Sequence, residues 1–256
     1  MAVKAAKLYS SNDGEPRVYS VERLAEAGII SPRHLPSVTT VLRVLNKPAF
    51  VPAALKAMGD HLVGQAERIY YATADMDPQE FALFFGTEVG EAKKAWGERS
   101  KVAMDIGTRI HKLCEAHGRG AFASLKDEPS EVVNGFEAYL AWVNETGFVA
   151  TEVEKVVADP IAGYAGCCDA VGIMRDGTPV LVDWKSGKGG AIYPEYILQW
   201  HAYAAPLSID SGYIVSFDKE TGECYQHPMK FHTLTYEAFL YATLIYEWLH
   251  ADEDKR

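Results

Sequence analysis

The chain has no long apolar run. Across its 256 residues no stretch approaches the roughly 18 apolar residues that a membrane span needs. The opening MAVKAAKLYSSNDGEP also lacks the apolar centre of a secretory leader. A cytoplasmic protein with no membrane partner is therefore expected. Cysteine is scarce, with four residues at 114, 167, 168 and 224. None forms a Cys-x-x-Cys pair, which leaves neither a zinc ribbon nor a dithiol redox motif. All four are expected as free thiols. Cys167 and Cys168 adjoin on an expected strand, so they should point to opposite faces. A basic excess is missing too: 25 Lys and Arg stand against 35 Asp and Glu, a formal net charge of −10. That argues against a surface that coats nucleic acid broadly. Internal repeats and low-complexity segments are absent.

The charge that is present is unevenly placed. Residues 1–120 hold 16 Lys and Arg against 14 Asp and Glu, whereas residues 121–256 hold 9 against 21. If DNA is bound, the first half is the expected clamp and the acidic second half the metal holder.

The pattern along the chain also divides. Residues 1–34 are polar and mixed, with one short helix expected over 21–28. Ser37 is a helix N-cap for an apolar stretch that Pro48 ends. Helices are expected over 52–69, briefly over 78–85, and over 90–119, where Gly97 and Gly107 are candidate bends. Residues 131–146 have the apolar spacing of an amphipathic helix, with Val132, Phe136, Tyr139, Leu140 and Val143 on one face. Near Gly147 the texture changes. Strands are expected over 152–159, 163–174 and 179–184, then a helix over 194–205, strands over 213–217 and 223–229, and a closing helix over 235–250. The order from residue 131 is α-β-β-β-α-β-β-α, an α/β core behind a helical N-terminal region.

The chemistry concentrates at the third of those strands. Asp183 and Lys185 are two apart, so they share a face, and Trp184 points the other way into the core. The preceding Val180-Leu181-Val182 has the composition of a buried central strand. An isolated Asp-x-Lys is usually a solvated surface pair worth little, but this one ends a buried strand. Asp169 lies on the adjoining strand of a hairpin turning at Asp176-Gly177. Two facing carboxylates are unfavourable unless a divalent cation joins them. With the Trp184 backbone carbonyl they form an oxygen set suited to Mg²⁺ or Mn²⁺. Lys185 would sit beside the ion, placed to stabilise a pentavalent phosphate. Ser186-Gly187-Lys188-Gly189-Gly190 follows as a flexible loop able to approach a phosphate. Gln199 and Tyr203, four apart, share one helical face. His111 could complete the metal shell, against the plainer reading of a surface histidine beside Glu115.

Four short motifs occur in order: Gly107-Thr108-Arg109-Ile110-His111, Gly166-Cys167-Cys168-Asp169, Asp183-Trp184-Lys185-Ser186 and Gln199-x-x-x-Tyr203. Together they resemble the PD-(D/E)xK nuclease superfamily in its RecB-like exonuclease branch, over roughly residues 35–250. Leu35-Pro36-Ser37-Val38-Thr39 is similar to a segment of phage RecB-type exonucleases and of the mitochondrial genome maintenance exonuclease. The resemblance implies a restriction-endonuclease-like core, an αβββαβ mixed central sheet flanked by helices. It would occupy residues 131–256, behind an extension (1–34) and a helical DNA-channel region (35–130).

The resemblance also implies roles. His111, Asp169, Asp183 and the Trp184 carbonyl would hold one or two Mg²⁺ or Mn²⁺ ions. Asp169, Asp183, Lys185, Gln199 and Tyr203 would be the catalytic set, with Glu152 or Glu154 supporting from the first strand. Arg109, Lys112, Ser186, Lys188, Lys93 and Lys94 would contact DNA, with Arg43, Lys47, Lys56, Arg99 and Lys101 as further phosphate contacts. Some relatives carry an iron–sulphur cluster on one upstream and three late cysteines. This chain has only Cys224 late, so no cluster is expected. The implied activity is a DNA exonuclease acting on single strands or ends, in recombination or repair, in a bacterial or phage-infected cytosol. An endonuclease of restriction or structure-specific type is the second reading. A non-catalytic DNA- or partner-binding module on the same fold is the third.

Overall fold

The structure is a computed structural model, and it describes residues 17–45, 50–121, 124–187 and 189–251. Lys47 and Lys188 lie outside them. No helix among the described residues is long and apolar enough to cross a membrane.

A small N-terminal unit comes first. Strands β1 (Val18–Tyr19) and β2 (Leu35–Pro36) pair antiparallel around helix α1 (Val21–Glu26). These two-residue strands have no signature in the sequence pattern. Tyr19, Leu24 and Leu35 form a small core with Ala165. Ser37 caps α2 (Val38–Val41) as its position predicts, its hydroxyl accepting from the Thr40 amide at 3.1 Å. A 3₁₀ turn over Leu42–Val44 ends that segment, earlier than the apolar pattern suggests.

A helical arm follows. The helix expected over 52–69 is two, α3 (Phe50–Gly64) and α4 (Ala66–Ala72), which break at Gly64-Gln65. Conversely, the two or three short helices expected after residue 78 are one. Helix α5 (Pro78–Gly118) runs unbroken for 41 residues, about 60 Å at the usual rise. Asp77 starts it with a reciprocal capping box to Glu80, and Pro78 takes the first turn. Gly97 and Gly107 do not interrupt it. An interior glycine costs only about 1 kcal/mol, too little to break a helix of this length. In the arm, buried Glu88 on α5 is ion-paired with Arg68 of α4.

The remainder has the order expected: α6 (Ser130–Thr146), β3 (Val149–Asp159), β4 (Tyr164–Ile173), β5 (Pro179–Gly187), α7 (Pro194–Leu207), β6 (Ser211–Asp218), β7 (Cys224–Lys230) and α8 (Thr233–His250). The fold is mixed α/β. Five strands form one sheet in the order β3-β4-β5-β6-β7. The β3–β4, β4–β5 and β6–β7 pairs are antiparallel, and α7 provides the crossover that makes β5 and β6 parallel. Helices cover both faces. The C-terminal half of α5 and α6 pack on Val180, Val182 and Trp184 of β5 and on Val215 and Phe217 of β6. Helices α2, α7 and α8 pack on Leu181 and Ile214 from the other side. Strand β5 is thus sealed twice over, which is why Val180-Leu181-Val182 is apolar without alternation.

One close approach pins the parallel pair. A Cβ on Gly212 would overlap the Leu181 carbonyl oxygen and backbone. Gly212→Ala is expected to cost at least about 2 kcal/mol, because only backbone could yield; urea unfolding measures it.

A second prediction concerns His201 on α7, which is fully buried, with Nδ1 2.8 Å from the Ile197 carbonyl. Burial lowers its pKa, His232 adds to this, and the Ile197 carbonyl opposes it. The unfolded chain therefore takes up this proton first. His201 leaves stability unaffected above the ordinary histidine pKa and erodes it as pH falls below that value. The urea midpoint should drop between pH 7.5 and 5.5, and by less in His201→Gln.

Candidate active site

The candidate site forms where β5 emerges from its cover. Asp183 is 1% exposed, while the neighbouring Trp184 is buried on the opposite face. Lys185 Nζ lies 2.5 Å from Asp183 Oδ2 and donates to Gln199 Oε1 at 3.2 Å. The same ammonium stands 4.8 Å above the Tyr196 ring centroid. Gln199 Nε2 in turn donates to the Tyr203 hydroxyl at 3.1 Å. A continuous polar chain thus runs Asp183–Lys185–Gln199–Tyr203, from strand β5 to helix α7. The structure brings all four together. Tyr203 is buried, so it supports Gln199 from behind and is not a surface for a base. Tyr196 is the residue missing from the sequence-based set. It lies one turn before Gln199 on the same face, a spacing that could have found it.

The second pair sits across the strand. Pairing of β4 with β5 ends at Ala170–Val182. Beyond it the Trp184 amide donates to Asp169 Oδ2 at 2.7 Å, so the carboxylate takes the place of a strand carbonyl. Asp169 Oδ1 is 3.3 Å from His111 Nδ1. His111 therefore comes to the sheet from α5, more than 50 residues upstream, and its ring meets Trp184 edge-on at 6.2 Å.

The motif glycines are points of close approach. Beside Gly107 stands Ser186, whose Oγ would lie 2.6 Å from a Cβ there. Gly166 lies against the Tyr203 ring and Val38. These two motifs thus pair His111 and Asp169 with a residue small enough to let a neighbouring element dock.

Electrostatics separate the two carboxylates. Burial raises the Asp183 pKa to about 6; Asp169 adds to this, and Lys185 and His111 oppose it. For Asp169 burial acts upward, but His111, Lys185 and the Trp184 amide outweigh it and hold the group below its usual range. His111 moves up, its burial outweighed by Asp169. Among the described residues, Asp183 Oδ1 has no hydrogen-bond partner, and Oδ2 meets the Lys185 ammonium in an ion pair rather than an aligned hydrogen bond.

Among the described residues, no group of three or more His, Cys, Asp and Glu side chains is gathered as a metal cage. What is present is two pairs, His111–Asp169 and Asp183–Lys185. Their donor chemistry suits a hard divalent cation, because one buried Asp183 oxygen meets no donor among the described residues.

The supporting glutamates differ. Glu152 is exposed and ion-paired with Lys155. Glu154 is exposed, accepts from Cys167 Sγ at 3.3 Å, and lies within the electrostatic reach of Asp169 and His111. The four cysteines are free.

The expected phosphate contacts divide. Lys93, Lys94, Arg99, Lys101 and Lys112 are exposed on α5. Lys94 is paired with Glu91 at 2.6 Å, Lys56 with Asp60 at 2.7 Å, and Arg109 with Glu128 at 2.7 Å. Ser186 and Gly187 belong to β5, paired with Phe217 and Asp218, and are not part of a loose loop. The next turn is anchored as well: the Gly189 amide donates to Asp218 at 2.8 Å, and His227 Nε2 to the Gly190 carbonyl at 2.9 Å.

No protein-family model matches this chain, and no curated protein does. Among solved structures it is similar to an alkaline exonuclease, LHK-Exo, from Laribacter hongkongensis. Identity is 24% over 43% of this chain and 62% of that one, with a TM-score of 0.34. The complex of LHK-Exo with dAMP gives 21% identity over 54% of this chain and 77% of that one, at 0.35. The structure of SSO0001 gives 15% over 57% and 74%, at 0.36. Likenesses this slight carry no functional argument, which is left to the side chains.

Gly166→Ala should push against the Tyr203 ring and cost about 1–3 kcal/mol. Tyr203→Ala removes the obstacle, so the two changes should be non-additive in a denaturation cycle. Additive losses would disprove the contact.

Proposed function

We propose that the chain is a Mg²⁺- or Mn²⁺-dependent DNA exonuclease of the PD-(D/E)xK type, acting on single strands or ends. The observation that carries this reading is the buried Asp183, with one oxygen unpartnered and the other on Lys185, beside the His111–Asp169 pair. His111, Asp169, Asp183 and the Trp184 carbonyl would hold the cation. When bound, it supplies Lewis-acid charge at the phosphoryl oxygens and lowers the pKa of an attacking water.

The protein's own groups do the remaining work. Lys185 places a fixed positive charge beside the scissile phosphate, where negative charge develops in the transition state. Asp183 and Gln199 hold that ammonium from two sides, and the Tyr196 ring supports it from a third. Tyr203 fixes the Gln199 amide so that its oxygen, and not its nitrogen, faces Lys185. Exposed Lys93, Lys101 and Lys112 on α5 would meet the DNA backbone, with Ser186 at the strand end. Lys94 and Arg109 would have to exchange Glu91 and Glu128 for phosphate.

Purified protein with Mn²⁺ should degrade end-labelled single-stranded DNA, and a chelator should stop it. Asp183→Ala and Lys185→Ala should each lower kcat by at least about a hundredfold; unchanged activity in either would sink the assignment. Covalently closed single-stranded circles should survive, and their cleavage would favour the endonuclease reading. DNA binding without turnover in any divalent metal would favour a non-catalytic module.

A further inference from the structure

Glu154 carries an unusual backbone. It lies inside β3 with φ of 50°, the left-handed region, which a non-glycine residue rarely adopts in a strand. The β3–β4 register runs Val153↔Ala170 and then Lys155↔Cys168, which sets Glu154 opposite Asp169. The count of residues does not slip there; the one register shift in this pair is earlier, between Ala150 and Glu152.

The sheet nevertheless changes phase at this point. In a regular strand, residues of the same parity share a face. Before Asp169, Cys168 packs in the core under α7, and Gly166 lies against Tyr203. After it, Ala170 packs in the core under α6, and Gly172 lies against Phe148. Strand β3 does the same, with Val157 in the first core and Val153 packed against the second. Both strands therefore exchange their faces at the Glu154–Asp169 step. Asp169 is the residue at which β4 turns over. Its carboxylate reaches the Trp184 amide on the adjoining strand and His111 at once. A regular pleat would keep Asp169 on a single face.

We propose that Glu154 is a positioning residue: its left-handed backbone turns the β3–β4 pleat over and so aims the Asp169 carboxylate at His111 and the Trp184 amide. Backbone conformation carries this role, not the carboxylate. The side chain meets Cys167, accepting from its thiol at 3.3 Å. The activity arm of the test rests on the nuclease reading; the other arms do not.

Four substitutions separate backbone from charge. Glycine and asparagine adopt the left-handed region readily, glutamine keeps the shape without the charge, and valine strongly resists the conformation. In metal-free protein, the ¹⁵N shifts of the His111 imidazole report its contact with Asp169. Glu154→Gly, Glu154→Asn and Glu154→Gln should keep the wild-type shifts, and Glu154→Val should move them toward those of a free imidazole. Mn²⁺ titration should follow, with at least tenfold weaker binding in Glu154→Val alone. In the nuclease assay Glu154→Val should lose at least tenfold in kcat with KM within about twofold, and Glu154→Gly should stay within about threefold of wild type. If Glu154→Val does not fold, Glu154→Ala takes its place, with a partial shift in the same direction. The proposal is overturned if the valine and alanine variants keep the wild-type His111 shifts, or if the glutamine variant loses as much as valine. A wild-type protein without nuclease activity would remove the functional reading alone, because the His111 shifts would still decide.

Discussion

The burial of one carboxylate governs the site. Asp183 lies in the middle of a strand that is sealed on both faces, and it is 1% exposed. A lone carboxylate in that position is costly, by more than a surface pair can offset. Lys185 is the compensation available inside the protein, two residues on and on the same face. The lysine then needs its own support, which Gln199 and Tyr196 give from α7. Gln199 needs an orienting partner, and Tyr203 is it. Tyr203 in turn needs room, and Gly166 leaves it. The polar side chains of α7 and the glycine of β4 are thus successive answers to a single desolvation problem.

Much of this was legible in the sequence. Period-two and helical patterns placed every element from residue 131 onward in its observed order, because each buries one well-marked face. Asp183, Lys185, Gln199 and Tyr203 could be grouped because the spacings of two and four set the shared faces directly. His111 needed the motif resemblance, since nothing local shows which strand a helix will meet. The continuous α5 was not legible. Gly97 and Gly107 look like bends, yet the helix runs through both without a break. The two-residue strands β1 and β2 carry no pattern, and the left-handed Glu154 gives no signal, because glutamate is an ordinary strand residue by composition. The turn after Gly187 looked mobile from its glycines, but Asp218 and His227 anchor it from neighbouring strands, a long-range effect.

Charge on the helical arm is largely balanced internally. Lys56, Arg68 and Lys94 each face a carboxylate on the arm itself. The slight basic surplus of the first half of the chain therefore does not translate into a uniformly positive surface. Exposed Lys93, Arg99, Lys101 and Lys112 all belong to α5, so these four cations follow one helix instead of spreading over the arm.

The length of α5 has a geometric consequence of its own. Glu88 and Ala92 are buried within the arm, and Ile106 and Ile110 against the sheet, each pair 18 residues apart. Eighteen residues make about five full turns, so a single face of the rod meets both the arm and the sheet. Adding or removing one residue between them would rotate the arm by about 100° about the rod axis relative to His111. Changes in arm length can therefore preserve its bearing toward the site only in near-whole turns, as teeth on a shaft engage only at set angles.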